Sequence, residues 1–307
     1  MASKIVPTGQ RDLSQIRVFT AMATPFASDG SLDPAGAARL AHWLSLHGTE
    51  ALVLAGTTGE GPTLSVEERR QLLNAVRGAV PGLPLFLSTG HNSTATTVEW
   101  TRLAEAWGAD GVMVVTPYYN KPPQSGLAAH FGAVAAATRL PLMLYNVPSR
   151  TGVHLAAETS LALMAQHENV WAVKEASGAV QHAAALAARM PPGRRVFTGE
   201  DALLLASLQA GAHGVVSVAS HVAGPEIAAV IAYAAAGRLA EAARVADRLA
   251  PVIAGLFAVS NPIPLKWALS RRGLPAGPPR LPLVPATDAE MAGLARALQE
   301  AGLAQAE

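Results

Sequence analysis

Residues 140–152, LPLMLYNVPSRTG, and 170–178, VWAVKEASG, are two short apolar runs that each end in polar residues, with a segment of helical spacing between them. The same alternation extends in both directions. Strand-type runs fall at 18–25, 51–56, 83–89, 111–117, 140–147, 170–176, 195–199 and 214–219, eight in all, each followed by a longer amphipathic segment. Helix boundaries are marked by Asp33-Pro34 at one start, by Ser65 ahead of Glu67-Glu68 at another, and by Gly48, Gly108 and Gly211 at ends. Eight βα units with no antiparallel run predict a closed parallel (β/α)8 TIM barrel, with an open doubly wound sheet as the structural alternative.

Beyond the eighth run only helical patterns follow, at 225–236, 239–258, 263–270 and 288–301. A proline-rich stretch at 273–285 precedes the last of them and reads as extended or turn-like, because proline lacks the amide donor and restricts its neighbours. The expected organisation is therefore a barrel over 1–222 with a short N-terminal extension, then a C-terminal helical appendage over 223–307.

Composition narrows the chemistry. The chain has 307 residues, no cysteine, and 23 basic against 22 acidic side chains for a formal net charge of +1. The absence of cysteine excludes disulfides, thiolate metal sites and a cysteine nucleophile. Near-neutral charge, with Arg194-Arg195 and Arg271-Arg272 as the sharpest basic clusters, argues against a nucleic-acid partner. Residues 1–15 are polar and carry no secretory apolar core, and no run reaches the roughly 18 apolar residues of a membrane span. A soluble cytoplasmic protein with no membrane partner is expected. No G-x-S-x-G elbow, H-E-x-x-H helix or G-x-x-x-x-G-K-[ST] loop is present, and His213 and His221 merely bracket a strand, so neither metal nor cofactor is expected.

A barrel of this kind carries its site at the C-terminal strand ends. Lys174 is the sharpest signal there, since the chain has only four lysines, Lys4, Lys121, Lys174 and Lys266, and this one lies inside an apolar strand. Burying an ammonium is costly, and the neutral amine is the nucleophile that attacks a carbonyl carbon. The bland alternative is a pair with Glu175 or Glu200. Lys266, beside Trp267 in a helix, reads as a side chain snorkelling over apolar surface. Tyr145 closes another strand, where a phenol either shuttles protons or simply meets a backbone carbonyl. Thr57 and Thr58, between Gly56 and Gly59, can turn amides and hydroxyls toward a carboxylate, or serve as ordinary turn and cap residues. Arg150 follows Tyr145 at the mouth, suited to a bidentate carboxylate grip or to a rim salt bridge.

Taken together, GTTGEG from Gly56, TPYYNKP from Thr116, YNVPSRTG from Tyr145, KEASG from Lys174 and NPIPLKWAL from Asn261 resemble the motifs of one family. It is the N-acetylneuraminate lyase family of Schiff-base-forming pyruvate aldolases and lyases, and within it the dihydrodipicolinate (4-hydroxy-tetrahydrodipicolinate) synthase branch. The resemblance spans about residues 18–285. It implies a barrel with a helical C-terminal extension, an imine between Lys174 and pyruvate, and proton transfer by Tyr145 with Thr57 and Tyr119 as relay partners. It further implies that Tyr119 serves the site of a neighbouring subunit in a homotetramer, that Thr58 binds the pyruvate carboxylate, that Arg150 binds the carboxylate of the incoming aldehyde, and that Gly199 lies near bound substrate.

The implied reaction is condensation of pyruvate with L-aspartate 4-semialdehyde. The Thr57-Thr58 pair resembles the synthases, where sialic acid lyases tend to carry Ser and sugar-acid dehydratases Gly at the first position. The alternatives are a lyase or dehydratase of a 2-oxo sugar acid by the same imine chemistry, and a catalytically silent barrel that binds an oxo acid. In lysine-inhibited members an effector site lies near the positions of Gly61, Val66, Arg69, Asn92, Thr96 and Tyr118. Asn92 and Tyr118 are retained, but the polar and acidic groups of sensitive members are missing at Val66, Arg69 and Thr96, so weak or no inhibition by L-lysine is expected.

Overall fold

The computed structural model describes residues 13–305. Most of the polar N-terminal reading, at 1–12, and the last two residues lie outside them. Eight parallel strands close into a barrel in sequence order: β1 (Val18–Ala21), β2 (Ala51–Leu54), β3 (Leu85–Ser88), β4 (Gly111–Val115), β5 (Leu142–Asn146), β6 (Val170–Glu175), β7 (Arg195–Thr198) and β8 (Gly214–Ser217), with β8 back on β1. The open-sheet alternative is thereby excluded. Each strand is shorter than its apolar run because the chain leaves the ladder at the C-terminal end to build a loop. After β1, for instance, Met22 N–H still reaches Val53 O at 3.0 Å, but residues 22–25 no longer pair as strand.

The helices start and stop where short-range chemistry directs. Asp33 accepts from Gly36 N–H ahead of helix Pro34–Leu46, and Ser65 with Glu68 forms a reciprocal capping box at helix Val66–Ala79. Gly48, Gly108 and Gly211 all take positive φ past helix ends.

Inside the barrel, aromatic rings fill the space. Phe19 meets Phe86 and Phe197 edge-on, at 5.1 and 5.2 Å between centroids, and Trp171 leans on all three. Trp171 gets there through a bulge. Leu142 pairs with Val170 and Met143 with Ala172, so Trp171 is the extra residue on β6. Past the bulge the strand alternates again, with Ala172 and Ala176 in the interior cluster and Val173 among the helices. Lys174 shares the interior phase.

After β8, helix Ser220–Ala235 is interrupted at Ala223 (φ −140°, ψ 35°), just before Pro225, and we place the division between barrel and appendage at this break. Helix Leu239–Leu256 packs along Ser220–Ala235 and against Ala292–Glu300, while Ile263–Arg271 returns toward the barrel mouth. The last helix starts later than its sequence pattern, at Ala292, because Asp288 is drawn outward to accept from Trp267 Nε1 at 2.8 Å and to pair with Arg271.

Lys266 corrects its own reading. It is 2% exposed, its Nζ lies 2.5 Å from Glu60 Oε1 and 4.2 Å above the Phe26 ring, and it donates to Pro278 O at 3.1 Å. Burial lowers its pKa and Glu60 opposes that. The other Glu60 oxygen accepts Arg280 N–H at 2.7 Å, and the Arg280 guanidinium pairs with Glu68, holding that carboxyl down at about 2. Removing one member of a buried pair strands the other charge. Lys266→Met is therefore expected to lower unfolding stability by about 3–5 kcal/mol, whereas Arg271→Ala, at an exposed pair, is expected to shift the chemical denaturation midpoint far less. Equal midpoints for the two variants would contradict this.

Candidate active site

At the C-terminal ends of the strands a cavity of about 420 Å³ opens, walled by Thr57, Tyr118, Tyr145, Arg150, Ser260 and Asn261 among others. Lys174 meets one of these wall residues, Tyr145, rather than lining the cavity itself. It is the register partner of Tyr145 on β5 and of Phe197 on β7, it is 5% exposed, and its Nζ sits 4.2 Å from the Tyr145 ring centroid. Glu175 takes the opposite phase of the strand and is engaged elsewhere, by His182 Nδ1 at 2.6 Å, Asn146 Nδ2 at 2.9 Å and Ser177 N–H at 2.7 Å. Burial raises the Glu200 carboxyl above its ordinary range while the Lys174 charge opposes the rise, and the two do not form an ion pair. Among the described residues, then, no carboxylate lies at ion-pair distance from Lys174, although buried Asp201 also feels its charge.

The Thr57-Thr58 loop is tightly built. Ala55 and Glu60 both take positive φ, at 54° and 50°, and a Cβ on Gly61 would sit 2.0 Å from Ala55 O, so only glycine closes this turn. Thr57 faces the cavity, whereas Thr58 is 2% exposed and its Oγ1 accepts from Asn261 Nδ2 at 2.9 Å. Arg150 stands exposed at the mouth on the short turn Pro148–Thr151, and no rim carboxylate pairs with it among the described residues. Asp201 braces the floor of the β7 and β8 loops, accepting from Ser217 Oγ at 2.5 Å and from the amides of Val218 and Ala219, both at 2.9 Å.

The structure thus gathers Lys174, Tyr145, Thr57, Thr58, Arg150 and Gly199 at one end of the barrel. Tyr119 stands apart. It is 88% exposed with φ of 73°, and it is Tyr118, its neighbour, that walls the cavity of the same chain.

Sequence reasoning gave no role to Ser260 and Asn261, which reach the cavity from the appendage, nor to His91 and Trp100 on its outer wall. The only signal for Asn261 was its place at the head of the NPIP run. Arg69, an expected effector-site position, is buried and donates to Ser88 O at 2.9 Å and Gly61 O at 2.5 Å, stacked 4.3 Å over Trp100. Burial lowers its pKa to about 10, which leaves it a cation at neutral pH.

Gly199 sets a steric limit on the lysine. A Cβ there would lie 2.7 Å from Lys174 Cε and 2.7 Å from Ala176 Cβ. Gly199→Ala is expected to push the amine off its position and slow borohydride-trappable imine formation with an oxo acid by about a hundredfold, since misplacement near 1 Å has that cost. A wild-type trapping rate in that variant would show that the amine has room to spare.

Known proteins resemble this chain over nearly its whole length. The family model described as dihydrodipicolinate synthetase matches residues 14–301. The chain is 49% identical over 288 residues to the 4-hydroxy-tetrahydrodipicolinate synthase of Moorella thermoacetica, covering 94% of this chain and 98% of that one. It is 51% identical over 281 residues to the synthase of the same name from Synechococcus sp. strain CC9311, covering 91% and 93%. Among solved structures, dihydrodipicolinate synthase from Cyanidioschyzon merolae with lysine bound superposes with a TM-score of 0.92 at 43% identity, covering 94% of this chain and 99% of that one. The chain belongs to the dihydrodipicolinate synthetase family.

Proposed function

We propose that this protein condenses pyruvate with L-aspartate 4-semialdehyde to 4-hydroxy-tetrahydrodipicolinate, in lysine and diaminopimelate biosynthesis, through an imine on Lys174. The observation that carries the chemistry is a buried lysine whose Nζ lies 4.2 Å over the Tyr145 ring with no carboxylate partner among the described residues. Relatives that carry the synthase name over nearly their whole length favour this aldehyde over a 2-oxo sugar acid.

The amine of Lys174 attacks C2 of pyruvate, and loss of water from the carbinolamine gives the imine. Tyr145, with Thr57, moves the protons of that dehydration. Removal of a C3 proton yields the enamine, whose carbon attacks the aldehyde. The substrate amine then attacks the imine carbon, closing the ring and releasing Lys174. Thr58 holds the pyruvate carboxylate, Arg150 that of the semialdehyde, and Gly199 leaves room beside the reacting carbon.

Tyr119, turned to solvent in its own chain, completes the proton relay of a neighbouring subunit in a homotetramer. The small-molecule substrates are the only partners proposed. The cytoplasm is the proposed location, and no helix among the described residues is long and apolar enough to cross a membrane. Weak or absent inhibition by L-lysine is also proposed, because the buried Arg69 cation beside the cavity repels an ammonium ligand.

Initial rates with pyruvate and L-aspartate 4-semialdehyde, coupled to the NADPH-dependent reductase of the next step, test the substrate; N-acetylmannosamine is the competing aldehyde. Turnover confined to the semialdehyde is expected, and turnover with the sugar alone would overturn the assignment. In borohydride trapping, Lys174→Ala is expected to abolish labelling by pyruvate while Lys266→Ala retains it. Trapped pyruvate on the Lys174→Ala protein would sink the imine at this residue. For Tyr119, mixing inactive Tyr119→Phe chains with inactive Lys174→Ala chains is expected to restore about a quarter of the sites, since each mixed symmetric pair rebuilds one intact site. No recovery in verified mixed oligomers would place Tyr119 outside the neighbour's site.

A further inference from the structure

The contact between Asn261 and Thr58 joins residues 203 positions apart, from the appendage to the loop after β2, and both groups are buried. A hydroxyl offers one proton and can accept at its oxygen. Asn261 Nδ2 donates to Thr58 Oγ1 at 2.9 Å, which fills one acceptor position on that oxygen and leaves the Thr58 proton free. Among the described residues nothing accepts that proton, although Thr58 is 2% exposed. Asn261 Oδ1 is likewise buried without a partner, on a side chain that walls the cavity. Buried polar groups are normally satisfied, so the free Thr58 proton marks a place where an acceptor completes the bonding, and the Asn261 oxygen one where a donor does.

We propose that Asn261 is a positioning residue for the pyruvate carboxylate: its amide N–H holds the Thr58 oxygen, so that the Thr58 proton turns away from the amide, and the acceptor it meets is the carboxylate. The inference rests on the reading of Thr58 as the carboxylate ligand. It adds that the appendage, through Asn261, sets the direction of that ligand's proton. The contact is clamped at both ends by one ion pair, since Glu60 follows Thr58 by two residues, Lys266 follows Asn261 by five, and their charged atoms lie 2.5 Å apart. A donor held rigidly in place discriminates between a carboxylate and a group that also donates.

The test is the pyruvate concentration that half-saturates borohydride trapping, together with steady-state KM for each substrate. Thr58→Val is expected to raise the pyruvate value about tenfold or more, the size of a lost hydrogen bond to a charged group, and Thr58→Ser to restore it. Asn261→Ala is expected to raise it several-fold with the semialdehyde KM unchanged. Asn261→Asp, nearly isosteric, is expected to be worse than Asn261→Ala, because its carboxylate captures the Thr58 proton and repels the pyruvate carboxylate. In the Thr58→Val background, Asn261→Ala is expected to add less than about twofold, the signature of coupled residues. Independent, multiplicative effects of Asn261→Ala and Thr58→Val would overturn the proposal, as would a wild-type pyruvate value for Asn261→Asp, which would mean that the side-chain oxygen faces Thr58. If Thr58→Val itself leaves the pyruvate value unchanged, the carboxylate reading of Thr58 fails, and this inference fails with it.

Discussion

A buried ammonium paired with a buried carboxylate, Lys266 with Glu60, ties the C-terminal appendage to the loop that carries Thr57 and Thr58. Desolvating two charges is costly, and their attraction offsets that cost only when the geometry is good and the remaining donors and acceptors are filled. Here they are largely filled: Glu60 also takes the Arg280 amide, Lys266 also donates to Pro278 O, and Phe26 presents its ring face to both cations, at 4.2 Å to Lys266 Nζ and 4.1 Å to the Arg280 guanidinium. Glu60 can reach this network only because its backbone adopts the left-handed conformation, the same local bend that turns Thr57 into the cavity. The appendage is therefore a structural part of the site, and the strain of the loop is held by groups that also specify where the appendage docks.

Two of the described lysines are deeply buried, and their surroundings separate their roles. Lys266 has a carboxylate at ion-pair distance, a carbonyl and a ring face, and such a charge is fixed in place. Lys174 has a ring face and no carboxylate, because the adjacent glutamate points to the other side of the strand and is engaged by three donors. The alternation of a β-strand keeps Glu175 from quenching the residue beside it in sequence. A buried amine that no carboxylate holds in direct contact is the one free to meet a ligand.

The fold was legible because parallel strands buried on both faces write themselves as continuous apolar runs, and because capping residues such as Asp33 and Ser65 act over three or four positions. The cluster at the strand ends was legible for the same reason, since each member sits at or just after the end of a strand. What escaped was long-range pairing. Nothing near Lys266 in sequence announces Glu60, so a lysine beside a tryptophan read as a surface side chain. Asn261 could be seen as part of a motif but not as the donor to a hydroxyl 203 residues earlier. Tyr119 shows the converse. Its motif is visible in sequence, while its own chain leaves it 88% exposed.

The phase of β6 decides whether any of this chemistry is possible. A one-residue slip in a strand exchanges its two faces, which here would turn Lys174 among the helices and Glu175 into the barrel. The bulge at Trp171 is where that phase is set, and the residue placed there is the one whose indole packs against Phe19, Phe86 and Phe197 in the interior. Packing of a large ring thus selects the register, and the register delivers the lysine. Gly199, across the gap on the following strand's end, then sets how much room the amine has once it arrives. Placement of Lys174 in this barrel follows from hydrophobic packing three residues upstream, with polar contacts from the appendage holding the Thr57-Thr58 loop.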